Sequence, residues 1–230
     1  MARNIITGLD IGSSSIRAIV VERKKDGTLH ILAAAQKESE GVRRGYIINL
    51  DDASKTISAT IKSLEKISGL SIRNAIVSVG GISLGSYRSK AMVRTSKADG
   101  EITDHDIKRL IAQSEANLTN MTNKKVIHSI PLSFKVDNVL VQGRPTEMKG
   151  VKLEVETLLV TCLSQHLSDL IKTIEASGLS VDDIVASPLA TSYSVLTKQQ
   201  KETGCVMANI GASTVSVVVF EDGLPISLEV

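Results

Sequence analysis

Tryptophan is absent, and aromatic residues make up only 2% of the 230 residues. A surface that stacks nucleobases on aromatic rings is therefore not expected. Neither sign of charge dominates: 27 Lys and Arg stand against 25 Asp and Glu, a net charge of +2. Such a chain has no field to draw nucleic acid or a membrane surface. The basic clusters Arg23-Lys24-Lys25, Arg43-Arg44 and Lys124-Lys125 are short and read as solvated turns. Only two cysteines occur, Cys162 and Cys205, far apart and in apolar surroundings. They have no metal spacing and read as buried thiols of a reducing compartment. The four histidines are scattered, with no paired ligand motif. No apolar run approaches transmembrane length, and the N-terminus lacks the apolar core of a signal peptide. The expectation is a soluble, cytoplasmic chain, with any membrane contact supplied from outside these residues.

What is present is a 42% hydrophobic composition, enough for a proper core, and a stretch at residues 5–21. There a β-branched run leads to Asp10, Gly12 and Ser13-Ser14-Ser15 make a tight turn, and an alternating apolar run leads out. The pattern reads strand, turn, strand. A glycine and three hydroxyls at such a turn suit a phosphate, and Asp10 suits a Mg²⁺ held through water. A plain hairpin with a serine-rich turn has the same local pattern. Residues 208–220 repeat the layout, with Asn209 in the place of Asp10, Gly211-Ala212 in the place of Gly12-Ser13, and Ser213-Thr214 in the place of Ser14-Ser15. Each copy runs on to a hairpin turn, Asp26-Gly27 or Asp222-Gly223. An internal repeat of this kind implies two related lobes. A triphosphate clamped between the two turns is its simplest use.

Between the copies, helical spacing of Ala53, Ile57, Ile61, Leu64 and Ile67 predicts a helix over 51–68, with Asp51 as N-cap and Gly69 after its end. Residues 75–79 read as a buried strand closed by Gly80-Gly81. From about residue 83 the pattern shifts. A strand over 89–94, a helix opened by Thr103 with Asp106 completing a capping box, and strands over 126–137 and 150–160 form a small α/β unit. A helix over 163–177, a strand over 181–186 and a helix from Pro188 to about 201 precede the second turn. The expected division is 1–82 as the first part of a lobe, 83–161 as an inserted subdomain, 162–200 as the return to that lobe, and 201–230 as the start of a second.

The two strand–turn–strand motifs resemble the phosphate loops of the actin-like ATPase superfamily. Gly45-Tyr46-Ile47-Ile48-Asn49, His128-Ser129-Ile130-Pro131 with Phe134, Met148 to Glu154, and Ser187-Pro188-Leu189-Ala190 resemble the bacterial cell-division family FtsA. That resemblance implies an α/β, actin-like (ribonuclease-H-like) lobe with an inserted small α/β subdomain and a second lobe only begun. It implies ATP and Mg²⁺ as ligands, self-association into filaments, linkage of the tubulin-like ring protein FtsZ to the membrane through a C-terminal helix not in this chain, and recruitment of other division proteins by the insertion. Both loops are also similar to those of PilM, the ATP-binding cytoplasmic component of type IV pilus assembly. FtsA usually carries a lysine where Ser15 stands, and aspartates where Asn209 and Ser216 stand. These departures bear on hydrolysis more than on binding, so at most a weak ATPase is expected. A sugar-kinase-type phosphotransferase would need a carboxylate that the second turn lacks. A nucleotide-free scaffold is the remaining alternative.

Overall fold

The computed structural model describes residues 4–119 and 122–230. Its first elements are the antiparallel strands β1 (Ile5–Ile11), β2 (Ser15–Arg23) and β3 (Leu29–Glu38). Alternation along β2 buries Ile16, Ala18 and Val20. A small hairpin follows, β4 (Val42–Arg43) and β5 (Tyr46–Ile47), turning through Arg44 and Gly45 with φ of 51° and 80°. Helix α1 (Leu50–Ser68) starts one turn-position earlier than the sequence predicts. Asn49, not Asp51, is its N-cap and accepts the Asp52 N–H; Asp51 sits inside the first turn, where a carboxylate complements the helix dipole. Gly69 ends it in the left-handed conformation at φ 69°. Its buried face carries Ala53, Ile57, Ile61 and Leu64, and full burial of Ile57 or Leu64 contributes about 1.5–3 kcal/mol each.

β6 (Asn74–Val79) then pairs with β1 in parallel. The next elements are β7 (Gly85–Arg94), α2 (Asp104–Ala116), β8 (Lys124–Val136), β9 (Val139–Val141) and β10 (Lys152–Leu163). They build a separate antiparallel sheet in the order β7-β10-β8-β9. Ile107 and Leu110 of α2 pack with Phe134, Leu153 and Val155 into a second small core. Pro131 lies inside β8 but at a register shift, where two residues of β8 oppose one step of β10. That is where a residue with no N–H to donate is tolerated.

α3 (Ser164–Ala176) returns the chain to the first sheet, which β11 (Ser180–Ala186) completes in the order β11-β6-β1-β2-β3. Three antiparallel strands joined to two parallel ones is the arrangement that an actin-like lobe implies. The single helix expected over 188–201 is two, α4 (Ser187–Val195) and α5 (Lys198–Thr203). Leu196 is extended (φ −101°, ψ 133°), and Thr197 opens α5 with a capping box closed by Gln200. The β-branched hydroxyl residue is worth more as a cap than inside a helix. β12 (Cys205–Ile210), β13 (Val215–Glu221) and β14 (Leu224–Glu229) form a three-stranded meander. The Leu228 N–H donates to Ser86 Oγ (2.9 Å), and the Arg88 guanidinium donates to the Ile226 carbonyl, so this meander is fastened to β7. Among the described residues no helix is long and apolar enough to cross a membrane.

Candidate functional site

The two hairpin turns face one another across a cleft of about 970 Å³. All ten residues singled out in the sequence line it: Asp10, Gly12, Ser13, Ser14 and Ser15 on one side, Asn209, Gly211, Ala212, Ser213 and Thr214 on the other. The turns are geometrically equivalent. In the first, the Gly12 N–H donates to the Ser15 carbonyl at 3.1 Å; in the second, the Gly211 N–H donates to the Thr214 carbonyl at 2.9 Å. Asp10 pairs with Arg17 and Ile11 with Ile16, as Asn209 pairs with Ser216 and Ile210 with Val215.

The need for glycine differs from the expected one. The Gly12 amide is already committed inside the hairpin. A Cβ on Gly12 would stand 3.0 Å from the Ser15 carbonyl oxygen, and one on Gly211 would stand 3.1 Å from that of Thr214. Glycine is required so that the hairpin can close this tightly. Among the described residues, the backbone N–H groups of Ser13 and Ser14 at the tip have no partner, and two successive free amides form an anion-binding concavity. The serines themselves are not equivalent. Ser13 Oγ accepts the Gly45 N–H at 3.0 Å, Ser14 is exposed, and Ser15 is buried as the first residue of β2.

Two residues that the sequence reading passed over stand next to Asp10. The Ser78 hydroxyl donates to Asp10 Oδ1, and Arg17 Nη1 lies 3.9 Å from Oδ2. Arg17 Nε also donates to Gln36 Oε1 at 3.2 Å. The signal for Arg17 was available: a hairpin turning at 12–15 pairs residue 10 with residue 17. Arg17 thus puts a cation on the strand that leaves the first turn, two residues after Ser15. In the second hairpin the corresponding pair is Asn209 with buried Ser216, so that turn carries neither charge. Helix α4 supplies a third wall through Ser187, Ala190, Thr191 and Ser194, and Gly80-Gly81 close the floor.

Asp10 is the one carboxylate on the cleft lining, and no cluster of three metal-ligating side chains occurs among the described residues. That donor set fits a Mg²⁺ held mainly by phosphate and water, with the carboxylate outside, and does not fit an all-protein cage.

Two histidines border the site. His166 is 2% exposed; its Nε2 donates to the Gly45 carbonyl (2.7 Å), and its Nδ1 meets the Ser83 hydroxyl. His128 Nε2 accepts the Ala186 N–H at 2.9 Å. Burial lowers the pKa of both below the ordinary 6.5. The folded chain therefore binds fewer protons than the unfolded one between the lowered value and 6.5, and stability present above 6.5 is lost as pH falls through the folded values. Thermal midpoints are expected to drop between pH 7 and 5, and a His128→Gln, His166→Gln chain to show a flatter profile by calorimetry.

Residues 81–161 match the family model described as the SHS2 domain inserted in FtsA. The chain is 33% identical over 225 residues to the cell division protein FtsA of Borreliella burgdorferi, covering 98% of this chain and 54% of that protein. It is 34% identical over 218 residues to FtsA of Streptococcus pneumoniae, covering 94% and 47%. The chain thus spans about half the length of the curated relatives it matches. Among solved structures, the PilM–PilN type IV pilus biogenesis complex aligns with TM-score 0.66 at 14% identity, over 97% of this chain and 60% of that one. The ethanolamine utilization protein EutJ from Carboxydothermus hydrogenoformans aligns with TM-score 0.54 at 12% identity, over 99% and 52%. At such identities these two speak for the fold alone. Nearly the whole chain is therefore similar to about half of the cell division protein FtsA, and residues 81–161 within it are similar to the SHS2 domain inserted there.

Proposed function

We propose that this chain is the nucleotide-binding part of an actin-like cell-division protein, and that Mg-ATP lies between its two hairpin turns. The observation that carries the reading is the pair of equivalent turns facing one cleft, with Asp10 and Arg17 side by side on the first. In this reading the Ser13 and Ser14 amides and Arg17 hold phosphate oxygens, while Asp10 orients the water shell of the metal. Gly211, Ala212, Ser213 and Thr214 close over the phosphates from the other side. Mg²⁺ when bound would neutralise phosphate charge. Asn209 offers an amide where a carboxylate would activate water, so binding outlasts turnover. The whole protein would self-associate into filaments, link an FtsZ-like ring to the inner face of the membrane at the division site through a helix outside these residues, and recruit later division proteins through residues 83–161.

The test is Mg-ATP titration of the chain and of Asp10→Ala. A loss of at least about tenfold in affinity is expected from removing one charged contact. Equal affinity in both would sink the role given to Asp10. A second reading, a nucleotide-free scaffold, is favoured by the uncharged Asn209–Ser216 pair. Partner binding that proceeds unchanged without any nucleotide would support it.

A further inference from the structure

Two histidines, His166 buried and His128 half-buried, tie the inserted sheet to the walls of the cleft, and neither lines the cleft itself. The block from β7 to β10 leaves the first lobe through residues 80–84 and rejoins it at the end of β10, which runs directly into α3. His166 of α3 stands between the two. Its Nδ1 meets Ser83 of the outgoing connection, and Cys162 Sγ near the end of β10 lies 3.6 Å away. Its Nε2 reaches the Gly45 carbonyl, and its ring stacks on Tyr46 at 4.4 Å. A carbonyl only accepts, so Nε2 carries the proton and Nδ1 accepts from Ser83.

Gly45 hands this constraint on. Its N–H donates to Ser13 Oγ at the first turn. Its Cα lies so near Gly81 that a Cβ would come within 2.5 Å of the Gly81 Cα. One residue is therefore held through both its backbone polar groups, by a histidine and a serine, and against a neighbouring backbone. His128 makes the second tie from β8. It accepts the N–H of Ala186, the residue that ends β11 and precedes α4. Ser187 and Thr191 of that helix line the cleft. In their neutral forms the two imidazoles thus use opposite tautomers, and His128 can accept the Ala186 N–H only when neutral.

We propose that His166 and His128 are positioning residues that couple the cleft to the inserted subdomain. A ligand that draws the first turn or α4 inward acts on the insertion through Gly45 and Ala186. Ordinary core histidines would also be hydrogen-bonded, but nothing in that role requires both to bridge the same two units and to end on cleft elements. The inference rests on the nucleotide reading above, and its test separates the two.

Amide hydrogen exchange is measured on the chain with and without Mg-ATP, alongside direct binding by calorimetry. In the unaltered chain, Mg-ATP is expected to slow exchange in β7 and β10. The slowing is expected to vanish in His166→Phe, which retains a ring against Tyr46 but no hydrogen bonds, and to return in His166→Gln. Without nucleotide, His166→Phe is expected to speed exchange at residues 12–15 and 44–46 by about fivefold, the effect of one lost hydrogen bond. Binding without any response of β7 and β10, or the same response in His166→Phe and His128→Phe as in the unaltered chain, overturns the coupling. If no nucleotide binds, the nucleotide reading fails instead, and unchanged exchange at 12–15 and 44–46 in His166→Phe overturns the tie. Should His166→Phe not fold, His128→Phe and Ser83→Ala carry the same comparison.

Discussion

Gly45→Val is expected to be among the most destabilising single substitutions in this chain. Gly45 has φ 80°, a region in which a β-branched residue is strained. The added Cβ would lie 2.5 Å from the Gly81 Cα and 2.9 Å from the Gly80 carbonyl oxygen, both backbone atoms that cannot swing away. The hairpin of β4 and β5 must then separate from residues 80–81. The Ser13 and His166 hydrogen bonds to Gly45 are lost with it. Left-handed strain and the lost bonds together cost about 3 kcal/mol or more. In a chain of this length that corresponds to a fall of roughly 6–12 °C in Tm. Gly27→Ala is the control: φ is 85° there as well, but nothing lies within 4 Å of the added carbon. It should cost about 1 kcal/mol. Similar losses in the two variants, by urea denaturation, would show that the approach to Gly81 is not what makes Gly45 a glycine.

Asp106→Ala is expected to unfold the inserted subdomain before the rest. Asp106 is fully buried, and its carboxylate accepts from four donors: the N–H and Oγ of Ser96 and the N–H and Oγ1 of Thr103. Arg109 lies 3.6 Å from Oδ1. Burial alone would raise its pKa, but the Thr103 and Ser96 hydrogen bonds outweigh it and hold the carboxyl below the ordinary 3.8. Alanine leaves those donors unpaired and removes the box that starts α2, at a cost of about 3 kcal/mol. The core that α2 closes is small and separate, so amide exchange should rise across α2 and β10 while β1 and β6 keep their protection. Because the folded pKa is depressed, the contribution of Asp106 is complete above 3.8 and is lost as pH falls through the folded value. Asp106→Asn retains the shape but not the charge, and its acid-unfolding profile should lack that loss. An Asp106→Ala chain with unchanged protection of α2 would refute the assignment.

Much of this was legible in local pattern. The capping box of Thr103 and Asp106, the stripe of α1 and the repeat of the two turns are short-range matters, decided by neighbours three or four residues away. Where the reading erred, two local signals competed. Asn49 and Asp51 are both good caps, and the chain used the one that lets Leu50 begin the helix. The run after Pro188 looked like one helix because nothing before Leu196 breaks it; Thr197 and Gln200 start another.

The sequence by itself determined that two turns of the same construction exist, that an α/β unit stands between them, and that one turn carries a carboxylate where the other carries an amide. These follow from residue type and spacing, which act within a few bonds. Only the tertiary structure decided that Ser78 stands beside Asp10 and that Gly45 is held between Ser13, His166 and Gly81. Those partners are up to 121 residues apart. No local pattern encodes such a meeting, because it exists only once the sheets have packed and long-range burial has chosen which distant groups share a wall.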